Sequence, residues 1–433
     1  MKKILKKIIS LKLRKKIRSI KLGDILFICY YRLKINSIRN KISQFEKVKV
    51  VFIAMDVAMW KYDGLYQIMK KHPRFDPVIL IAPRINQNEE GMKIDSLKMI
   101  DHFKTNQYRI IEGYDFEKKY WYDLKEIINP NIIFYTQPYN IIAVDEKYSI
   151  RHFKNVLFCY IPYFFLMISK RWAYDSLLQN VAWKLFYPTI SHSKTAKYFS
   201  KNKGVNVCVT GYPIADEILD VNRLIVNPWK KTNRKIKRII WAPHHSILEN
   251  NSLRLSSFLN THQIFLDLAE KYNSQIQIAF KPHPVLLTNL YNHPLWGKNK
   301  ADAYYKKWQN KPNGQLETGK YIDLMLTSDA MIHDSNSFTV EYLYTKKPVL
   351  YLTKNHHSES LCDFGKLAFS HHYKGFSESE IESFILNVVL CEIDSKFDNR
   401  QNFFNDYLLP PNNNLVAENI LNEIVHGLNL NDG

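Results

Sequence analysis

Several common sequence features are scarce or missing in this chain of 433 residues. Glycine occurs only 13 times, and neither GxGxxG nor GxxxxGK[ST] is present, which argues against a dinucleotide oxidoreductase and against a P-loop NTPase. The 5 cysteines are scattered, without a CxxC pair or a His/Cys spacing typical of zinc, and no Asp-x-Asp triad occurs. We therefore expect neither a metal site nor a cofactor.

Long apolar runs are missing as well. The run within 23–31 is far shorter than the roughly 20 residues needed to span a bilayer. No apolar segment with a small-residue cleavage site follows the amino-terminal charges, so a signal peptide is not expected either. These absences predict a protein of the cytoplasm.

Positive charge is concentrated at the amino terminus. Residues 1–50 contain 16 lysines and arginines but only two acidic residues, which is a net charge of +14 out of +20 for the whole chain. Isoleucines and leucines recur among these charges at helical spacing. We predict that residues 1–45 form a basic amphipathic arm on the anionic inner face of the cell membrane, each basic residue contributing roughly 1 kcal/mol. A helix packed on the body is the alternative; nucleic-acid binding is not expected, because no motif supports it.

The remainder of the chain alternates short β-rich runs with amphipathic helical stretches. This pattern is typical of parallel sheets covered by helices, and it occurs twice, on either side of a polar segment at 221–236. We predict an α/β protein with two Rossmann-like domains facing a cleft: an acceptor domain at 46–220, a linker at 221–236, and a nucleotide-donor domain at 237–433. The predicted strands of the first domain are 48–56, 78–82, 109–111, 132–135, 156–160, 189–192 and 205–210. Those of the second are 238–241, 275–280, 330–333 and 348–352, with helices at 253–271, 321–327 and 336–344.

Polar side chains follow three predicted strands of the second domain. His244 and His245 come after the first, and Lys281 and His283 lie in the stiff Lys-Pro-His-Pro loop after the second. A cation beside an imidazole suits a diphosphate, by charge attraction and by protonation of a leaving oxygen. The three histidines are therefore candidate catalytic residues, although packing or a turn would also explain them.

The third cluster is Asp334-Ser-Asn-Ser337, which follows a predicted strand and opens a helix. Backbone N–H groups at a helix N-terminus favour anions, and the hydroxyls of Ser335 and Ser337 would add donors for phosphate oxygens. Asp334, Ser335 and Asn336 are also ordinary N-cap residues, so capping alone is an alternative. Glu341, one turn further on, could accept hydrogen bonds from a ribose.

The order of these motifs resembles a known family. The runs Gly211-Tyr-Pro213, Trp241-Ala-Pro243, Lys281-Pro-His-Pro284 and Asp334-Ser-Asn-Ser337, followed by Glu341, are similar to those of the CDP-glycerol glycerophosphotransferases, the teichoic-acid primases and polymerases of GT-B fold. The resemblance extends over about residues 205–352 and more loosely over the first domain. It places Gly211 and Pro213 among the substrate-binding candidates.

The resemblance implies a chemistry. In that family the histidine of the motif at Lys281–Pro284 and the serines of the motif at Asp334–Ser337 surround the donor's phosphates, and the acidic residue faces the ribose. It implies a CDP-linked donor, in-line attack of an acceptor hydroxyl on phosphorus, release of CMP, and a lipid-linked or polymeric acceptor in wall or capsule synthesis. Catalysis would depend on positioning and on charge stabilisation.

This sequence departs from the family pattern in two places. The family's first-domain Trp-His-Gly-Thr-Pro loop corresponds to Cys159-Tyr-Ile-Pro-Tyr163, which lacks the histidine, and Ser246 lies near the position of a family arginine. Asp63, Tyr160, His244 or His245 could supply a base. A GT-B glycosyltransferase that uses a sugar nucleotide, and a non-catalytic polysaccharide-assembly protein, therefore remain as alternative functions.

Overall fold

The computed structural model describes residues 22–138, 145–248, 255–353 and 361–430. The chain divides into two compact units. The first unit comprises 1–163, 170–210 and 416–433, and the second unit comprises 164–169 and 211–415. These boundaries differ from the predicted ones, because the predicted linker belongs to the second unit and the carboxyl-terminal segment belongs to the first.

The first unit is built on a seven-stranded sheet in the order β3-β2-β1-β6-β7-β8-β9, and each neighbouring pair is parallel. Its strands are β1 Val48–Ala54, β2 Phe75–Ile81, β3 Ile110–Glu112, β6 Ile132–Tyr135, β7 Leu157–Tyr160, β8 Lys184–Tyr187 and β9 Val207–Val209, with the antiparallel hairpin β4 Tyr114–Asp115 and β5 Tyr120–Trp121. Its helices are α1 Leu22–Ser43, α2 Asp63–Lys71, α3 Glu89–Thr105, α4 Leu124–Ile127, α5 Leu177–Val181, α6 Ile190–Phe199 and the terminal α16 Val416–Gly427.

Helix α1 packs against the sheet of the first unit, to which it belongs. Ile28, Tyr31, Ile38 and Ile42 are buried along one side of the helix, and the Tyr31 hydroxyl donates a hydrogen bond to the Val156 carbonyl. Helical spacing of apolar residues predicted a membrane-surface arm. Within α1, the apolar residues at this spacing are instead buried against the sheet. Residues 1–21 of the predicted arm lie outside the described residues. Among the described residues, no helix combines the length and apolar composition that crossing a bilayer requires.

The second unit contains a six-stranded parallel sheet in the order β12-β11-β10-β13-β14-β15, the strand order of a Rossmann fold. Its strands are β10 Lys237–Ala242, β11 Ile276–Phe280, β12 Gly314–Leu316, β13 Ala330–His333, β14 Val349–Leu352 and β15 Tyr373–Gly375. Its helices are α7 Ile214–Ile218, α8 Phe258–Lys271, α9 Leu286–Tyr291, α10 Gly297–Asn310, α11 Ile322–Thr327, α12 Phe338–Glu341, α13 Asp363–Ser370, α14 Glu378–Ser383 and α15 Phe397–Phe403. Two π-helical segments, Phe384–Leu390 and Phe404–Leu408, extend α14 and α15.

One predicted strand of the first unit is wrong. Residues 189–192 form the start of helix α6, and the strand of this region, β8, ends before them at Tyr187. The Thr189 hydroxyl and the His192 Nδ1 atom are 2.7 Å apart, a local side-chain contact that a turn permits and an extended strand does not. Strands β12 and β15 were not predicted. Like β3 and β9 they have only three residues, but each contains a glycine, which is uncommon in strands, and a single apolar side chain.

The core of the second unit centres on Trp241 of β10, which is fully buried. Its ring stacks on Phe265 of α8 at a centroid distance of 4.2 Å and on Phe280 of β11 at 4.8 Å. Trp308 of α10 lies 5.8 Å away. One side chain thus joins two strands and the two helices that cover them, immediately before the loop that carries His244 and His245.

We expect Trp241→Ala to lower the free energy of unfolding by about 3–5 kcal/mol, because it removes a large buried side chain and leaves a cavity. Leu295→Ala is the control in the same unit, since that side chain is 74% exposed, and it should change stability by less than about 0.5 kcal/mol. Urea denaturation followed by circular dichroism measures both. Equal effects of the two substitutions would contradict this account of the core.

Candidate functional site

Three loops meet at the carboxyl edge of the second unit's sheet. They follow β10, β11 and β13, which are neighbours: Trp241 pairs with Phe280, and Ala242 pairs with His333. The loop after β11 is also joined to the loop after β10, because the His283 amide donates to the Pro243 carbonyl at 3.1 Å. This is the switch point of the strand order, where open α/β sheets bind ligands.

The loops bring the three candidate histidines together. The ring centroids of His244 and His245 are 4.2 Å apart, those of His245 and His283 are 4.3 Å apart, and those of His244 and His283 are 5.4 Å apart. Burial lowers the pKa of His283 to about 3, with further contributions from His245 and Lys281, and burial also lowers the pKa of His245. Both of these imidazoles are therefore neutral at physiological pH.

Backbone hydrogen bonds select the tautomer of two of these rings. The Val285 amide donates to Nδ1 of His283 at 3.2 Å, and the Ser246 amide donates to Nδ1 of His244 at the same distance. The Ser246 hydroxyl lies 2.8 Å from the same Nδ1 and accepts from the Leu255 amide. A neutral imidazole whose Nδ1 accepts a hydrogen bond carries its proton on Nε2. His244 and His283 consequently carry their ring protons on Nε2.

The same three rings could be considered as metal ligands, because one ring nitrogen from each lies within 4.8 Å of the others. A histidine that binds a metal normally donates its second ring N–H to an acceptor. At His244 and His283 that second nitrogen instead accepts from a backbone amide. These hydrogen bonds favour N–H donors to an anion over ligands to a cation.

Lys281 adds positive charge next to the histidines. Its side chain is buried, and its ammonium donates to the Gly319 carbonyl at 2.8 Å. Burial lowers the pKa of Lys281 to about 8, while the nearby Glu317 acts in the opposite direction. An ammonium group has three donors, so further donors remain for a ligand once Gly319 is bound.

Asp334 does not present its carboxylate to a ligand, contrary to the prediction. It is fully buried, and one carboxylate oxygen accepts from the His244 amide while the other accepts from the Ser257 amide at 2.6 Å and the Ser257 hydroxyl at 2.7 Å. Burial raises the pKa of Asp334 to about 6, although these hydrogen bonds act against that shift. Asp334 thus ties the end of β13 to the histidine loop and to the start of α8.

The residues after Asp334 have more accessible polar groups. No hydrogen bond of the Ser335 or Ser337 hydroxyl is found within the described parts of the chain, and Ser337, at the N-cap of α12, makes no side-chain cap. The Asn336 Oδ1 atom is shielded from water and has no partner among those residues. Because α12 is a single turn followed by a 3₁₀ turn, its dipole is weaker than the predicted longer helix would provide.

Glu341 is held by two tyrosines. Its buried carboxylate accepts from the Tyr321 hydroxyl at 2.8 Å and from the Tyr212 hydroxyl at 3.5 Å. Tyr212 lies between two candidate residues: Gly211, whose φ of 92° favours glycine, and Pro213, which precedes α7. The roles of Gly211, Pro213 and Glu341 towards a nucleotide stay predictions, since Glu341 already has protein partners.

Sequence reasoning missed the residues that hold the site in place. Ser257, Tyr212 and Tyr321 supply hydrogen bonds to the two buried carboxylates, and only Tyr212 lay within a motif that drew attention. In the first unit, one proposed base is buried and another, which is half-buried, already has protein partners. Tyr160 is buried in β7, and Asp63 accepts from the Trp60 indole at 2.9 Å and from the Tyr108 hydroxyl.

Comparison with known proteins supports the family resemblance. The family model described as CDP-glycerol:poly(glycerophosphate) glycerophosphotransferase matches residues 179–365, a segment that contains all three loops. This match confirms the resemblance predicted from the motifs. A search of curated proteins finds no significant match.

Solved structures with the same fold include UDP-GlcNAc 2-epimerase from Neisseria meningitidis bound to UDP-GlcNAc, with 15% identity, a TM-score of 0.54, and coverage of 88% of this chain and 100% of that one. The UDP co-structure of Staphylococcus aureus MnaA is similar, with 15% identity, a TM-score of 0.53, and coverage of 89% and 98%. At this level of identity the likeness shows the fold. It confirms the prediction of two Rossmann-like domains of GT-B type.

We expect nucleotide affinity to fall as the pH rises above about 8, because the Lys281 ammonium loses its proton there and its attraction for an anion with it. Calorimetric titration with CDP between about pH 7 and pH 9.5 measures the dissociation constant across this transition. Lys281→Arg should remove the pH dependence, since a guanidinium stays charged. An unchanged affinity of the wild-type chain across this range would show that Lys281 does not contact the ligand.

The contribution of Lys281 to the stability of the protein without ligand should change in the opposite direction. The pKa of Lys281 is lower in the folded chain than in the unfolded chain, so that between about pH 8 and pH 10.5 the unfolded state binds more protons. The contribution of Lys281 to the free energy of unfolding therefore increases with pH in that window. Urea denaturation of the wild-type chain and of Lys281→Arg at several pH values in that window isolates this contribution, because other groups, such as the buried thiols of Cys159 and Cys208, titrate in both chains.

Proposed function

Because residues 179–365 match the glycerophosphotransferase family, we propose that this protein transfers glycerol phosphate, or a similar polyol phosphate, from a CDP-linked donor. The acceptor is a hydroxyl of a membrane-associated lipid or polymer, and the product contributes to a wall or capsule polymer. One observation carries the proposal: three clustered imidazoles, among them the Nε2–H donor of His283, and the lysine of the same loop lie at the switch point of a sheet within the matched segment.

The donor's diphosphate fits this arrangement chemically. The Nε2–H group of His283, the Lys281 ammonium, and the hydroxyls of Ser335 and Ser337 are the kinds of group that bind phosphate oxygens. Positive charge comes from a single lysine, and the remaining donors are dipoles. Such fixed dipoles stabilise charge as it develops, without needing to reorient during the reaction.

The transfer itself is a substitution at phosphorus. The acceptor oxygen forms a bond to the phosphorus that carries the polyol, and the bond from that phosphorus to the bridging oxygen breaks. The electron pair leaves with CMP, whose new charge the donors at the sheet edge stabilise. His245 is our candidate for accepting the hydroxyl proton. Its Nδ1 is shielded from solvent and accepts no hydrogen bond from the described residues, so no backbone amide commits the ring proton to Nε2, as one does in His244 and His283, and Nε2 can act as the base.

A second candidate function is glycosyl transfer from a sugar nucleotide. The solved structures that share the fold hold UDP or UDP-GlcNAc, which favours this alternative. A non-catalytic assembly protein is the third, because the loop at 159–163 lacks the histidine of the family. The three functions differ in nucleotide binding: the phosphotransferase binds cytidine nucleotides, the glycosyltransferase binds uridine nucleotides, and the non-catalytic protein binds neither.

We expect CDP-glycerol, CDP-ribitol or CMP, but not UDP or UDP-GlcNAc, to raise the melting temperature. A ligand present at 100 times its dissociation constant stabilises the folded state by roughly 2.7 kcal/mol, a shift that differential scanning fluorimetry detects easily. Stabilisation by uridine nucleotides alone would support the glycosyltransferase instead. No stabilisation by any of these nucleotides would support the non-catalytic protein.

The variants that accompany this experiment are His283→Ala and His293→Ala. His293 is a matched control, because its Nδ1 accepts from the Leu295 amide at 3.2 Å just as that of His283 accepts from the Val285 amide, but it lies outside the histidine cluster. CMP release by His283→Ala should fall about 100-fold or more, and that by His293→Ala should be unchanged. Wild-type turnover by His283→Ala would refute the role given to His283.

Membrane association is the remaining part of the proposal. Residues 1–21 contain ten lysines and arginines and no acidic residue. Helix α1 follows this basic segment in the sequence. On the outward side of the helix, Leu26 and Leu33 are 62% and 86% exposed. A basic segment followed by exposed leucines is suited to an anionic bilayer surface, where it would keep the enzyme near a lipid-linked acceptor.

We expect the full chain to sediment with anionic liposomes at low salt, less at high salt, and not with neutral liposomes, because the attraction is electrostatic. A shortened chain that begins at Leu22 should lose this binding and keep its fold, since it retains the buried side of α1. A chain that begins near Gln44 is unsuitable for this purpose, because it also lacks Tyr31 and Ile42. Equal sedimentation of the full chain and the chain from Leu22 would contradict the membrane role of residues 1–21.

A further inference from the structure

The first unit has a cavity that the proposed donor chemistry does not use. It has a volume of about 500 Å³ and is lined by one side of α3, the end of β3 and the hairpin formed by β4 and β5. This volume lies within the range typical of small-molecule sites. The cavity also lies at the carboxyl edge of a parallel sheet, where α/β proteins bind their ligands.

The acidic groups of the cavity fall into two kinds. Asp115 is engaged, because it accepts from the Glu117 and Lys118 amides and from the Tyr122 hydroxyl. The carboxylates of Glu112 and Glu117 are exposed and make no hydrogen bond or ion pair within the described parts of the chain. Two acceptors therefore remain available at the mouth of the cavity.

A buried hydroxyl gives a second and independent indication of a ligand. Ser96 of α3 lines the cavity and is only 3% exposed, and its Oγ atom has no hydrogen-bond partner among the described residues. A buried hydroxyl without a partner is unfavourable, so that a polar ligand which reaches it would recover the lost hydrogen bond. A purely apolar ligand would leave Ser96 unpaired.

Aromatic side chains supply the apolar part of the lining. Tyr114 and Phe116 are both half-buried, with ring centroids 4.9 Å apart, and Tyr114 also packs on Trp121 at 4.6 Å. These contacts hold the rings in place, so that little side-chain entropy is lost when a ligand covers them. Flat apolar faces beside carboxylates match a sugar ring, which has a C–H face and hydroxyls around its rim.

The charge of the cavity narrows the class of ligand further. Three acidic residues and one basic residue, Lys93, line it, so that the lining is net negative. A polymer of phosphates would be repelled by this surface, whereas a neutral polyhydroxylated molecule would not. We propose that this cavity binds a neutral saccharide unit, which, if the proposed function holds, is the sugar portion of the acceptor.

The test is direct binding of neutral trisaccharides to the full chain, without any nucleotide. Chitotriose, cellotriose and maltotriose are titrated at up to about 10 mM and followed by saturation-transfer NMR. We expect at least one of them to bind, and an oligomer of three glycerol phosphates to bind more weakly. No binding of any trisaccharide, or tighter binding of the glycerol phosphate oligomer, would overturn the proposal.

Variants locate the binding. Glu112→Ala combined with Glu117→Ala should weaken binding about tenfold, because hydrogen bonds to charged groups are lost, whereas Glu126→Ala, an exposed carboxylate of α4 outside the cavity, should leave binding unchanged. Ser96→Ala should weaken binding several-fold without lowering the melting temperature, since no protein partner is removed. Saccharide binding that none of these variants changes would place the sugar elsewhere and overturn the proposal.

Failure of this proposal is distinguishable from failure of the proposed function. The saccharide titration contains no donor, and the nucleotide experiment contains no saccharide. Binding of cytidine nucleotides without saccharide binding would overturn the cavity's role and leave the donor assignment intact. Saccharide binding without any nucleotide effect would support the cavity and refute the transferase.

Discussion

The Asp334 carboxylate, buried at the carboxyl edge of the second unit's sheet, joins two loops of the candidate site, those after β10 and β13, to the start of α8. It accepts from the backbone of His244, at the histidine loop, and from the backbone and hydroxyl of Ser257, at the start of α8. Burial raises its pKa to about 6, so that ionising it is costly. The hydrogen bonds that offset this cost also place His244 beside His283, because they position the loop after β10 next to the strand ends.

The charge of the candidate site follows from the same burial. A cluster of three charged imidazoles next to a lysine would repel itself strongly, and burial instead keeps His245 and His283 neutral. Backbone amides then select the tautomers that present Nε2–H groups. The result is a dense set of donors with little positive charge of its own. Such a set suits an anionic ligand and resists a metal cation.

Ser246 illustrates how a departure from the family pattern can have a structural explanation. It lies near the position of a family arginine, and its hydroxyl accepts from the Leu255 and Ser256 amides while contacting Nδ1 of His244. The serine therefore closes its loop and helps to fix the tautomer of a candidate catalytic residue. An arginine would supply charge at such a place, and here the charge comes from Lys281, on the neighbouring loop.

Much of the architecture could be predicted from the sequence, because buried parallel strands appear as continuous apolar runs and because ligand-binding loops follow them. The strands at 132–135 and 330–333, the two-domain α/β class and the clustering of His244, Lys281 and His283 follow from this local information. Family resemblance, carried by short motifs in a fixed order, is local information of the same kind.

Tertiary structure decided what each of these residues does. Asp334 was an expected ligand of the nucleotide, and it became a structural anchor because Ser257, 77 residues away along the chain, packs against it. Helix α1 was expected on a membrane, but its buried side packs on β7, where the ring of Tyr31 stacks on that of Phe158. Helix α16, from the opposite end of the chain, also belongs to the first unit. Sequence patterns specify which side chains are apolar or polar, but burial and hydrogen-bond partners depend on residues that are distant along the chain. Those distant contacts select which polar groups are used within the protein and which remain for a ligand.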